Sequence, residues 1–169
     1  MELLLTIRDS DFGFSFHEPD HYESRTAARA VIFDRDDKIA LLHVRKKGYH
    51  KLPGGGVDEG ESIEEGLQRE LREEIGCTAK NIREIGMTEE FRYKYSVHQT
   101  SYCFVADVDG EKGESHMEED EIADGFEVVW MDIKDAVTTL ESELAIDNYE
   151  GIFIVHRELA FLKVALSKK

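Results

Sequence analysis

Residues 52–76 read Leu52-Pro53-Gly54-Gly55-Gly56-Val57-Asp58-Glu59-Gly60-Glu61-Ser62-Ile63-Glu64-Glu65-Gly66-Leu67-Gln68-Arg69-Glu70-Leu71-Arg72-Glu73-Glu74-Ile75-Gly76. Residues 48–60 hold five glycines and Pro53, so this part is a loop with unusual backbone demands. From Ser62 onward the pattern changes. Ser62 with Glu65 three residues later makes a capping box and Gly76 is a natural stop, which predicts a helix over about 63–75. Ile63, Leu67, Leu71 and Ile75 recur every four residues and give that helix one buried stripe. With Glu70 set at zero and about 100° per residue, Glu74 falls at about 40° and Glu73 at about 300°. Gly66, at about 320°, lies on the same face. A mid-helix glycine costs about 1 kcal/mol against alanine, and the reading is that something approaches the helix closely there.

Three clustered carboxylates repel one another unless a cation or protons intervene. An all-oxygen set suits a hard cation rather than zinc. The competing reading is a solvated face in which Arg69 and Arg72 pair with the glutamates. The wider spacing favours a site: Gly55, five residues, Glu61, seven residues, then Arg69-Glu70-Leu71-Arg72-Glu73-Glu74-Ile75-Gly76. This segment resembles the signature box of the Nudix hydrolases (MutT-like). It departs only at Cys77, where the family usually has an aliphatic residue, and Cys is a small apolar side chain at that helix exit. With its flanking hairpin, Pro-Gly-Gly loop and later strands, the resemblance extends over roughly residues 26–131.

The resemblance implies hydrolysis of a phosphoanhydride bond in a nucleoside diphosphate linked to a group X, with Mg²⁺ or Mn²⁺ as cofactor. Residues matching Glu70, Glu73 and Glu74 hold the metal, with a backbone carbonyl at Gly54. Arg69 orients the glutamates and Glu61 braces loop and helix. The catalytic set is then Glu73, Glu74 and Arg69, joined by an acid from a distant loop. Glu118, Glu119, Asp120 and Glu121 stand where that loop is expected, and Glu121 is the first choice. His116 beside them could be a base, but a lone surface His reads first as inert. For substrate, Arg45 and Lys51 belong to the basic cluster before the glycine loop. Arg92 and Tyr93 lie in the alternating run Phe91-Arg92-Tyr93-Lys94-Tyr95, which could stack a base and reach phosphate. The chain has no proline after Pro53, so the marker of an ADP-ribose subgroup is missing, while Tyr93 and Tyr95 stand near the position of a dinucleoside polyphosphate marker. Nucleoside triphosphates and dinucleoside polyphosphates are therefore favoured over ADP-ribose. Two alternatives stay open: a nucleotide-sensing module without turnover, and an isopentenyl diphosphate isomerase-like activity.

Outward from this stretch, Ala28–Phe33 and Ile39–Val44 predict a hairpin, residues 82–109 two longer strands, and Phe126–Met131 a last strand. Helices are expected over about 132–142 and 150–166. The order of elements is mixed, which gives an α+β class, an α/β/α sandwich with a mixed β-sheet flanked by helices. Residues 1–25 read as an N-terminal arm with a short strand at Leu3–Ile7, and 26–169 as one domain. The last helix, with Ile152–Val155, Leu159, Phe161 and Leu162, could pack on the domain or on a second copy in a homodimer.

Composition bounds the partners. The 169 residues carry 37 Asp and Glu against 21 Lys and Arg, a net charge of −16. That balance argues against coating a nucleic acid polymer or an anionic membrane. It permits a small anionic substrate, since a divalent cation reverses the local field. Residues 109–127 hold nine acids and one lysine, and residues 58–74 eight acids and two arginines, so the charge is concentrated around the proposed metal site. The longest apolar runs are too short to span a bilayer. Cys77 and Cys103 make no disulfide framework, and a cytoplasmic protein is expected.

Overall fold

The computed structural model describes residues 1–168. In chain order its elements are β1 (Leu3–Arg8), β2 (Glu23–Phe33), β3 (Ile39–Val44), β4 (Tyr49–Lys51), α1 (Ile63–Ile75), β5 (Thr78–Arg92), β6 (Val97–Asp109), α2 (Glu119–Asp124), β7 (Phe126–Met131), α3 (Ile133–Ser142) and α4 (Tyr149–Ser167). The strands form one mixed sheet in the order β1-β5-β6-β2-β3-β4, with β7 paired to β3. β1 runs parallel to β5, β2 parallel to β6, and the remaining pairs are antiparallel.

Alternation along the strands builds three layers. On one face Ala28, Ala30, Ile32, Ala40 and Leu42 pack with Leu67, Leu71 and Ile75 of α1. On the other, Val31, Ile39, Leu41 and Cys103 pack with Leu140 of α3 and Val155, Leu159 and Leu162 of α4. The apolar run of α4 is therefore spent on this chain's own core. The same alternation turns Arg29 toward α4, where it meets Glu158.

The hairpin expected over 28–44 forms only at its tip. Asp34 N–H donates to the Lys38 carbonyl at 2.8 Å, but the two strands share a single pair, Phe33 with Ile39. The glycine-rich loop occupies the edge of β2 instead. Ala28 N–H donates to Gly55 O at 3.0 Å, Ala30 N–H to Pro53 O at 3.1 Å, and Val57 N–H to Thr26 O at 3.0 Å. With that edge taken, β3 finds its ladders on β4 and β7. The acidic stretch 109–127 also differs from a plain loop, since it contains the single turn and a half of α2.

The N-terminal strand sits at the sheet edge beside β5. Asp9 behind it is fully buried. It accepts hydrogen bonds from Tyr149 Oη at 2.9 Å and from the Tyr93 backbone N–H at 2.8 Å. Among the described residues no helix is long and apolar enough to cross a membrane.

Candidate active site

Helix α1 carries the acidic face as its sequence dictates. Ser62 Oγ accepts from Glu65 N–H at 3.2 Å, Glu65 returns the bond to Ser62 N–H at 2.8 Å, and Gly76 closes the helix in the left-handed region at φ 66°. The glycine loop is wedged between β2 and this helix closely enough that two side chains are forbidden. A Cβ at Gly54, whose φ is 125°, would stand 2.1 Å from the Ala28 carbonyl oxygen. A Cβ at Gly55 would stand 2.3 Å from the Glu70 carboxylate. Gly66 faces the same loop, with Val57 Cγ2 3.2 Å from where its Cβ would be. The approach inferred from that mid-helix glycine is made by the protein's own loop.

Arg69 ties these pieces together. Its Nε and Nη2 donate to the two oxygens of Glu61 at 2.9 and 3.0 Å, Nη2 to the Gly56 carbonyl at 2.9 Å, and Nη1 to Glu70 at 2.8 Å and Glu73 at 3.3 Å. The fork holds the Glu61 carboxyl down to about 2, helped by the Asp58 N–H. Glu74 is buried, 1% exposed, and receives Lys51 Nζ at 2.9 Å and Gly54 N–H at 2.5 Å. Burial still raises its pKa, against the pull of Lys51. Burial also raises that of Glu70, with the neighbouring Glu74 carboxylate adding to it and Arg69 opposing.

These groups open on one cavity of about 290 Å³ whose walls differ in sign. Glu70, Glu73 and Glu74 from α1 face Glu118, Asp120, Glu121 and Asp124 from the α2 region. The remaining wall carries six cations, Arg25 and Arg29 of β2, Lys47 and Lys51 around β4, Arg92 of β5 and Arg157 of α4, with Glu150 of α4 as the one carboxylate among them. Loop 110–118 is fixed to the end of α1 through its backbone, Gly113 N–H donating to Gly76 O at 2.8 Å and His116 N–H to Glu73 O at 2.6 Å. That attachment brings Glu118 and Glu121 to the cavity and leaves the His116 side chain exposed outside its lining.

Of the residues singled out from sequence, Glu70, Glu73, Glu74, Lys51, Arg92 and Glu121 share this cavity, with Arg69 directly behind its acidic wall. Arg45 and Tyr93 do not line it. Arg45 is exposed at the end of β3, its Cβ against Gly125. Tyr93 follows the end of β5 in a 3₁₀ turn, its backbone held by Asp9 and its ring beside Tyr22. The strand alternation read through Tyr95 stops at Arg92. Arg29 and Arg157 were not singled out. The available signal was a charged residue inside an otherwise apolar strand, Ala27–Phe33, and an Arg-Glu pair inside an apolar helix.

The donor chemistry fits a hard divalent ion: three carboxylates on one helix face, two with pKa values raised by burial, beside a loop whose Gly55 leaves room for one of them. As they stand the carboxylates are engaged by Arg69 and Lys51. Among the described residues no three acidic, His or Cys groups are already gathered as a chelating set.

An acid-faced helix and a cationic wall thus stand around one cleft, on a mixed sheet between helices. The model of the NUDIX domain matches residues 23–152, and the chain belongs to that family, whose members generally use divalent metal ions. An ADP-ribose pyrophosphatase of Methanocaldococcus jannaschii is 35% identical over 82 residues, 47% of this chain and 48% of that one. An RNA pyrophosphohydrolase of Photobacterium profundum is 43% identical over 57 residues, 32% of this chain and 33% of its own. The chain thus spans less than half the length of these curated relatives. In fold it is similar to a solved MutT from a study of the Aliivibrio salmonicida and Vibrio cholerae proteins, with TM-score 0.55 and 22% identity over 82% of this chain and 99% of that one.

Proposed function

We propose that this protein is a metal-dependent pyrophosphohydrolase that cuts a phosphoanhydride bond in a nucleoside diphosphate-X substrate. Nucleoside triphosphates and dinucleoside polyphosphates are favoured over ADP-ribose. One observation carries the reading: the three glutamates of α1 and a cationic wall open on the same cavity. Glu70, Glu73 and Glu74, with the Gly54 carbonyl, would hold Mg²⁺ or Mn²⁺. The bound ion supplies charge neutralisation at phosphate oxygens and a water acidic enough to act as nucleophile near neutral pH.

The chain's own groups do the rest. Arg69 fixes the orientation of Glu70 and Glu73, and Glu61 fixes Arg69. Lys51 and Arg92 attract the phosphates. Glu121 stands on the far acidic wall, where a carboxylate can take the proton of the attacking water. The relatives' names span ADP-ribose pyrophosphatase and RNA pyrophosphohydrolase, so the substrate is decided by assay. Incubating the protein with Mg²⁺ and a panel of nucleoside triphosphates, dinucleoside polyphosphates, a 5′-triphosphorylated RNA and ADP-ribose, and identifying products, makes that decision. Glu73→Gln is expected to lower turnover by about 10²–10³-fold, the scale of one electrostatic group in a closed site, with the circular dichroism spectrum and melting transition retained. Near-normal turnover of this variant at saturating Mg²⁺ would remove the assignment.

A further inference from the structure

Five charged side chains from three elements meet below the cavity. Arg157 donates to Glu90 at 2.7 Å through Nη1 and to Glu158 at 2.6 Å through Nη2. Arg92 donates to the other oxygen of Glu90 through Nε at 2.8 Å. Arg29 lies 3.5 Å from Glu158. Glu90 and Glu158 are 0% exposed, Arg157 1% and Arg29 6%, so this is a closed floor. Three guanidiniums against two carboxylates leave it with an excess positive charge.

The excess rests on Arg29. A guanidinium has five N–H donors, yet Arg29 makes one hydrogen bond, Nη1 to the Ala28 carbonyl at 3.4 Å, and its buried Nε, in ion-pair range of Glu158, makes none. Burial and the adjacent Arg157 work against its charge, while Glu158 and, more weakly, Glu74 and Glu70 of the acidic wall favour it. Leaving a buried cation this poorly satisfied is costly unless something else completes it. Arg25 is exposed at the mouth of the same cavity.

We propose that the floor formed by Arg29, Arg92 and Arg157, with Arg25 at its mouth, binds a chain-terminal phosphate group. It thereby selects substrates that end in a phosphate over those esterified at both ends of the anhydride, which narrows the two classes favoured above to the nucleoside triphosphates. The selectivity half rests on the hydrolase reading above; the binding half does not. The chemistry follows from charge and shape. A terminal phosphate carries about −1.5 to −2 charges at neutral pH and presents three acceptor oxygens, which suits guanidinium forks. A bridging phosphate carries one charge and has a further group attached. Behind the arginines the floor is closed by Glu90 and Glu158, so a ribose or second nucleoside continuing past the phosphate would meet buried carboxylates.

The binding arm uses inorganic pyrophosphate and the metal-stripped full chain in chelator, followed by titration calorimetry. Wild type is expected to bind. Arg29→Gln is expected to weaken binding about tenfold or more, and the exposed Arg25→Gln, which does not threaten folding, by about threefold, the scale of charge-assisted hydrogen bonds. The absence of wild-type binding at millimolar pyrophosphate, or equal binding by all three proteins, overturns the subsite. The activity arm compares kcat/KM with Mg²⁺ on a nucleoside triphosphate and on ADP-ribose. Both variants should lose on the triphosphate, through KM, and change little on ADP-ribose. Equal losses on both substrates overturn the selectivity. If wild type cleaves nothing in the panel, the hydrolase reading fails and the pyrophosphate titration still decides the site. A melting temperature of Arg29→Gln at or above wild type accompanies the binding role, because a purely structural Arg29 would lower it.

Discussion

Glu70 shows how one residue is held between two demands. Gly55 leaves it space, Arg69 favours its charge, and burial with Glu74 beside it disfavours that charge. Its pKa is raised above the unfolded value of about 4.3. The stability tied to it is therefore complete below the unfolded pKa and is lost as pH rises through the folded one. Glu70→Gln cannot ionise. In chelator it should melt above wild type at pH ~7–8, and the gap should close toward about pH 4. Thermal melts across that range check this, and a gap independent of pH would contradict it. Added Mg²⁺ should reverse the order, since wild type alone keeps the full ligand set. Glu61 behaves oppositely, its carboxyl held down to about 2. The acidic set was legible because helical spacing fixes which side chains share a face. Arg29 and Arg157 were not: Arg29 is a single charge in an apolar strand whose carboxylate partner lies on α4, and Arg157, although beside Glu158, joins the floor through Glu90 on β5.

Among the elements, α1 was legible from end to end: the capping box, the four-residue stripe and the Gly76 stop are all local signals, and each formed. The β2–β3 hairpin was not, because the competitor for the β2 edge is a glycine loop that no strand pattern reveals. The seating of loop 110–118 on the end of α1 is equally silent in sequence, since backbone groups make it. It can be probed at Gly76, where φ is 66° and a Cβ would stand 2.4 Å from the Gly113 carbonyl oxygen. Gly76→Ala should cost about 2 kcal/mol, the order for a strained non-glycine backbone. It should also loosen the loop that carries Glu118 and Glu121 to the cavity. Faster proteolytic nicking within 110–118, with a lowered melting temperature, is the expected pair of results. A lowered melting temperature without faster nicking would mean that the loop is held elsewhere.

At the scale of the molecule, the sheet joins segments far apart in the chain. A strand near the N-terminus was readable, but its parallel seat beside β5 was not, since the pairing leaves no local trace. Asp9 fastens that seat to α4 and to the end of β5. Asp9→Ala leaves the half-buried Tyr149 hydroxyl and Tyr93 N–H without this acceptor and should cost about 1–3 kcal/mol. The loss should appear as one shifted transition, coincident by far-ultraviolet circular dichroism and by Trp130 fluorescence, because the edge strand and α4 share a core. Two separated transitions would show that the N-terminal strand detaches on its own. The arginine floor carries a further consequence, for synthesis on the ribosome. Arg157 follows Glu74 by roughly eighty residues, or about 4–16 seconds of translation at ~5–20 residues per second. Through that interval the emerging chain displays its acidic helix while Arg29 and Glu90 wait for the last helix. A ribosome paused before residue 157 would therefore present a nascent domain with one wall of its cleft missing.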